Sequence, residues 1–258
     1  MNSAVFAQTF KTGRLGLLWY ALAALAAVSS GGLGLSAITT QGPALQGILQ
    51  SLPPAILEAF KINLSSFTTP IGYISARGLS LIWPLVMVAF SAGSASGVSA
   101  LIERGTIHFE LSLPVSRTRW LASRIVAALL GAVLLCLVTL GGLYLFANAD
   151  WWRFVVLGFA FTVMGLGVAY ATAAVARDRA TVSAVVFGLF AVQFLLETLS
   201  TVSPDAAWLR NLTVWSAYKP ESTVLNGVDW GVVGAWLLIG ALGFAVSLWR
   251  WNARDLPA

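Results

Sequence analysis

His108 is the only histidine in the chain and Cys136 the only cysteine. His108 stands within ERGTIHFELSLPVSRTRWLASR, Glu103 to Arg124, together with the carboxylates Glu103 and Glu110 and with Arg104, Arg117, Arg119 and Arg124. The chemistry open to this set is narrow. A zinc site takes several His, Cys or carboxylate ligands, and His108 has no second His or Cys to complete one. As a lone base it lies in a polar connection, whereas an intramembrane hydrolase needs its serine and histidine to meet in a water-filled cavity. Cys136 sits in an apolar run with no partner for a disulfide or a metal cluster. No G-x-x-x-x-G-K-[ST] loop is present to cradle ATP phosphates. These residues do not form an active site of a known pattern. What needs explaining is why a chain that is 58% hydrophobic and 10% charged gathers so much polar chemistry in one short connection.

The elements on either side of that connection are long and apolar. The mean hydropathy is +0.84 over 258 residues, and a soluble domain would need far more polar surface. Several runs reach the roughly 20 apolar residues that cross a hydrocarbon core of about 30 Å. They are too continuous for barrel strands, which alternate in segments of about 10 residues. The class is therefore an all-α polytopic membrane protein. Six spans are expected, near Leu15–Ile38, Leu79–Leu101, Trp120–Phe146, Phe154–Val175, Val182–Leu196 and Val232–Leu248. The fifth is short for a full crossing, and a re-entrant element is an alternative there. Lys11 and Arg14 before the first run suggest a signal peptide, but that run outlasts the usual h-region and reads as an uncleaved span.

Six spans place both termini on one face. That face holds Lys11, Arg14, Arg104, Arg117, Arg119, Arg124, Arg177, Arg179, Arg250 and Arg254, and the other holds Lys61, Arg77, Arg153, Arg210 and Lys219. Ten basic residues against five make the first face cytoplasmic. The bases are scattered over short loops and form no stripe, which argues against nucleic-acid binding. No ionisable residue stands at the centre of a span, and no repeat of two similar halves is visible. Both features disfavour an ion-driven carrier. Arg77 and Glu197 lie near outer span ends, where long side chains can snorkel.

Two outer connections are long. LQGILQSLPPAILEAF suits an interfacial helix broken at Pro53-Pro54. WLRNLTVWSAY sets Trp208, Leu209, Leu212, Trp215 and Tyr218 at near-helical spacing, as a membrane-surface helix or an external gate would. In the second span Gly93 and Gly97 have the GxxxG spacing among serines and alanines. This motif packs helices within one chain or between two. Gly165 and Gly167 are expected to loosen the fourth span.

Within the cytoplasmic stretch, Thr106–Leu113 alternates apolar and polar residues as a strand does. No other cytoplasmic connection is long enough to supply a partner strand, and a lone strand is unstable. As a helix, Ile102, Thr106, Phe109 and Leu113 share one face. Pro114 would end that helix and Ser116 would cap the next. The expectation is a short helix along the cytoplasmic membrane surface.

IERGTIHFELSLPVSRTRWLASR resembles the segment between the second and third helices of type-2 ABC transporter permeases, the six-helix membrane subunits of a large export superfamily. The shared pattern is an acidic residue, Arg-Gly-Thr, an apolar run and Leu-Pro-Val-Ser-Arg. SSFTTPIGYISARGLSLIWPLV resembles the lead-in to their second helix. The resemblance implies one transmembrane permease domain over 1–258. It would have an amphipathic N-terminal elbow at 1–14, a coupling helix at 102–117, an outer connection at 197–231, and short re-entrant or interfacial helices before the sixth span.

By position, the resemblance implies that Glu103, Arg104, Gly105 and Thr106 open the coupling helix and that Phe109, Glu110 and Leu113 touch a separate ATPase subunit. Pro114, Val115, Ser116 and Arg117 would form the exit turn. His108 stands where family members often carry another residue. No cofactor would bind this chain directly, since ATP and Mg would sit on the ATPase. A second permease chain, identical or related, would complete the assembly in the plasma membrane, with a lateral path lined by spans one, two and five. Those apolar, aromatic faces favour an amphipathic or hydrophobic substrate such as a drug, an antibiotic or a lipid-like molecule. The competing readings are a non-transport membrane scaffold and an ion-driven secondary carrier.

Overall fold

The computed structural model describes residues 3–35, 47, 50–53, 56–57, 67, 69–107 and 115–254. Among these residues the chain is helical throughout, with no strand. Six helices are long and apolar enough to cross a membrane.

Helix α1, Ser3–Gly32, is continuous. The expected elbow is its first third and not a separate element. No proline interrupts it, and the hydroxyls of Thr9 and Thr12 bond back to the carbonyls of Val5 and Gln8, one turn earlier. The thirty residues of α1 reach about 45 Å at 1.5 Å per residue, so the helix extends past the hydrocarbon.

The second crossing has three parts. Pro70–Ile74 (α2) is capped by Thr69, whose hydroxyl accepts from the Gly72 amide. A π-helical turn follows over Ser75–Leu79, and then comes α3, Ile82–Glu103. The π turn sits where two backbones meet. A side chain on Gly78 would collide with the Ala27 carbonyl of α1, and one on Gly31 would meet the Ile74 backbone at 2.7 Å. The expected interfacial helix around Pro53-Pro54 lies largely outside the described residues.

Helix α4, Arg117–Phe146, leads through a short turn to α5, Trp151–Ala173. In the apolar stretch of α5, 72% of residues are buried, against 22% for α6 and α9. That makes α5 the central post of the bundle. Its contact with α9, Trp230–Ala253, is made by backbone. A side chain on Gly167 or Gly243 would strike the other helix's main chain, and one on Gly240 would meet the Val163 carbonyl at 2.7 Å. Gly167 therefore tightens the fourth span and does not loosen it. The GxxxG pair divides. A side chain on Gly93 would strike Tyr20, whose hydroxyl donates to the Ala89 carbonyl at 3.1 Å, while Gly97 faces open space.

Helix α6, Arg179–Val202, has 24 residues and is long and apolar enough for a full crossing, longer than the expected fifth span. The polar residues that cut the expected span short are satisfied in place. Thr198, Ser200 and Thr201 bond to carbonyls of their own helix. Glu197 is buried and accepts from the Thr213 hydroxyl at 2.6 Å, with Arg210 Nε at 3.8 Å, so it does not snorkel to water.

Beyond α6 the outer connection forms a 3-10 helix over Pro204–Leu212, then α7, Val214–Ala217, and α8, Pro220–Asn226. The expected single surface helix is broken at Thr213, whose side chain caps α7 by accepting from the Ser216 amide. Trp208 and Leu212 stay exposed, but Trp215 and Tyr218 turn into the core. There they surround Phe161 of α5 with Phe190 and Trp236. Trp215 Nε1 donates to the Phe190 carbonyl at 3.3 Å, and the Tyr218 hydroxyl donates to the Leu79 carbonyl at 2.8 Å. A second buried tie holds the middle of the bundle, Trp83 Nε1 to Thr139 Oγ1 at 2.9 Å.

Candidate functional site

Glu103 is the last residue of α3, and Arg104, Gly105 and Thr106 form the turn that ends it; the helix they are expected to open lies largely outside the described residues. The Thr106 amide reaches back to the Leu101 carbonyl and the Gly105 amide to the Ile102 carbonyl, both at 3.0 Å. Gly105 has φ of +67°, the left-handed conformation that glycine adopts without penalty. Together these are the two bonds of a Schellman stop. The chain turns sharply here, and Ile107 is helical again and buried.

His108, Phe109, Glu110, Leu113 and Pro114 lie outside the described residues. The chain resumes at Val115, half-buried against the core. Ser116 then caps α4, its hydroxyl accepting from the Arg119 amide at 3.4 Å, as its place before Arg117-Thr118-Arg119 predicts. The connection is thus bounded on one side by a rigid helix stop and on the other by a capped helix start.

Around it the helix ends are fastened to one another by charged and aromatic groups. The Glu103 carboxylate accepts from the Arg179 amide, the first residue of α6, at 3.3 Å. Next to it Asp178 caps α6, accepting from the Thr181 amide and hydroxyl, each at 2.7 Å. Those bonds, the amide's first, hold the Asp178 carboxyl below its usual pKa. Two carboxylates therefore serve one helix N-terminus, where the exposed amides and the helix dipole favour negative charge.

At the other end of the connection, Arg117 Nη1 donates to the Arg254 carbonyl at 3.0 Å. The Arg254 guanidinium spreads over the end of α5 and bonds to the carbonyls of Ala173, Ala174 and Ala176 at 3.3, 3.1 and 2.9 Å. Partial burial, and then the neighbouring Arg177, lower the Arg254 pKa. Trp120 of α4 stacks on Trp251 of α9 with centroids 5.5 Å apart, Arg124 lies over the Trp120 ring, and the Tyr170 hydroxyl donates to the Arg124 carbonyl.

Sequence reasoning missed most of these partners. The Asp178 cap was visible as an acid three residues before Thr181. The Glu103 and Arg254 bonds join residues 76 and about 80 positions apart, so no local signal carried them. Among the described residues, no group of three His, Cys, Asp or Glu stands close enough to hold a metal ion.

The arrangement is suited to mechanics more than to bond chemistry: a short connection between two spans, with both of its described ends bonded to further helices. No curated protein matches the chain. A family model described as ABC-2 type transporter matches residues 45–218, a stretch that contains the whole connection and the outer segment up to Tyr218.

Proposed function

The chain belongs to the ABC-2 type transporter family, and from that premise we propose that it is the membrane half of an ATP-driven exporter whose ATPase subunit docks on the 102–117 connection. Family membership makes it a multi-pass permease subunit of an ABC system, a membrane component that is not itself catalytic. The rest is the reading the geometry supports best. The observation that carries it is the Schellman stop at Gly105 facing the Ser116 cap. With its two ends fixed in this way, a push on the connection is handed to the ends of α3 and α4. A docked ATPase that closes on ATP would supply the push.

In this reading Phe109 and Leu113 seat in the ATPase, and Glu110 sets the docking orientation by charge. ATP and Mg are bound by that subunit. A second permease chain, identical or related, faces this one across the membrane, and both termini are cytoplasmic at a bacterial inner membrane. The exposed Leu15, Leu18, Trp19 and Leu22 of α1 and Val192 and Leu195 of α6 favour an amphipathic or hydrophobic substrate.

The test is recovery of the tagged chain from its native membranes in mild detergent. A stoichiometric ATPase with vanadate-sensitive hydrolysis is expected. A chain that elutes alone and moves substrate in an ion gradient would instead be a secondary carrier, and one that elutes with a different soluble protein would be a scaffold. Glu110→Arg is expected to reduce ATPase recovery tenfold or more while the membrane part keeps its thermal midpoint. Full recovery and full hydrolysis in that variant would remove Glu110 from the contact.

A further inference from the structure

The bonds at the two ends of the connection lead to helices that are not its chain neighbours. On one side, Glu103 at the end of α3 holds the first amide of α6. On the other, Arg117 at the start of α4 holds the carbonyl of Arg254, whose guanidinium in turn gathers three carbonyls at the end of α5. We propose that Glu103 and Arg117 act inside this chain as positioning residues, passing displacement of the 104–116 connection to α6 and to the α5–α9 pair, in place of contacting the ATPase themselves.

The physical case rests on where each group is aimed. Glu103 is exposed, and one of its carboxylate oxygens is aimed at a helix N-terminus, which attracts an anion by both its amide and its dipole. Arg254 uses the forked geometry of a guanidinium to satisfy the C-terminal carbonyls of α5, which have no partners within that helix. Because α5 and α9 touch by backbone at Gly167, Gly240 and Gly243, whatever reaches the end of α5 moves α9 as well. α3 also packs on α5 and α6 within the bundle, and these bonds tie the helix ends next to the connection, so that α6, α5 and α9 follow its displacement directly.

The inference rests on the docking reading above, so the experiment separates the two. Spin labels are placed at the exposed Ala180 of α6 and Asn252 of α9 in a Cys136→Ala background, in complexes purified with the ATPase. The distance between them is measured with and without ATP and vanadate, and only vanadate-trapped complexes are scored. The unaltered pair of helices is expected to shift by more than about 2 Å, the scale of helix movements in switching proteins.

Glu103→Ala is expected to abolish the shift. Glu103→Gln, which keeps an oxygen acceptor for the Arg179 amide but carries no charge, is expected to restore it. A direct ionic contact with the ATPase would be lost in both variants. Arg117→Ala, expected to halve the shift, provides the same test should Glu103→Ala not assemble. A full shift in both alanine variants, or no shift in the unaltered trapped complex, would overturn the inference and leave docking intact. If no ATPase stays with the unaltered chain, the docking reading fails and this inference fails with it.

Discussion

In the orientation proposed above, the segment between α6 and α9 is the outer one and the connection between α3 and α4 the cytoplasmic one, and the two ends of the bundle are held by different residues. Outside, the aromatic groups go inward. Trp215 and Tyr218 are buried around Phe161, and the carboxylate of Glu197 is enclosed with Thr213 beneath the 3-10 helix. Inside, the charged groups go to helix ends, where Glu103, Asp178 and Arg254 bond to amides or carbonyls near the surface. The outer segment is a plug held by packing, and packing is lost all at once. The cytoplasmic ties are separate hydrogen bonds near the surface, and they can be exchanged one at a time.

The comparison can be broken most forcefully on the outer side. Trp215→Ala is expected to cost about 3–5 kcal/mol, because removing a buried aromatic loses its packing and leaves a cavity. A large fall in thermal midpoint in detergent, with ATPase recovery unchanged at permissive temperature, would support the plug. A midpoint within a degree of the parent would mean that the outer aromatics do not hold this face.

On the cytoplasmic side the effects are smaller and local. Gly105→Ala forces a β-carbon into left-handed backbone at about 1–2 kcal/mol, with no steric clash, since nothing lies within 4 Å of the added atom. Gly105→Asn is expected to recover part of that loss, because asparagine tolerates the same conformation. Equal destabilisation by both would point to a steric cause and away from the Schellman stop. The smallest effect is expected at Asp178. Its folded pKa lies below the unfolded value, so its contribution to stability is complete above the ordinary carboxylate range and vanishes as pH falls through the folded pKa. Thermal midpoints of the parent and of Asp178→Ala should therefore differ at neutral pH and converge in acid. A difference that does not change with pH would show that the cap does not act through its charge.

Hydropathy was enough to count six crossings, and it failed where polarity is hidden by pairing. The fifth was cut at Leu196 because Glu197, Thr198 and Ser200 follow, yet each is satisfied within the protein and the helix continues to Val202. WLRNLTVWSAY carries a helical period, but Thr213 uses its hydroxyl both to cap α7 and to meet Glu197, which divides the segment. At the site, the Ser116 cap was legible from its own sequence. Gly105 after a basic residue carries a helix stop signal too, one the sequence reading did not use. The partners of Glu103 and Arg117 were not legible, because they depend on which helix ends the bundle brings together.

The bond from Tyr218 to the Leu79 carbonyl has a consequence for how the protein is made. Its two residues are 139 positions apart. At about 5–20 residues per second, synthesis leaves the outer end of the second crossing waiting on the order of ten seconds for its clasp. In that interval three more helices must cross the bilayer and the outer segment must be delivered to the far side. The outer face is therefore finished late. A ribosome stalled before Tyr218 would hold a chain whose second crossing is inserted but not yet secured, a state in which quality-control proteases could tell an incomplete permease from a finished one.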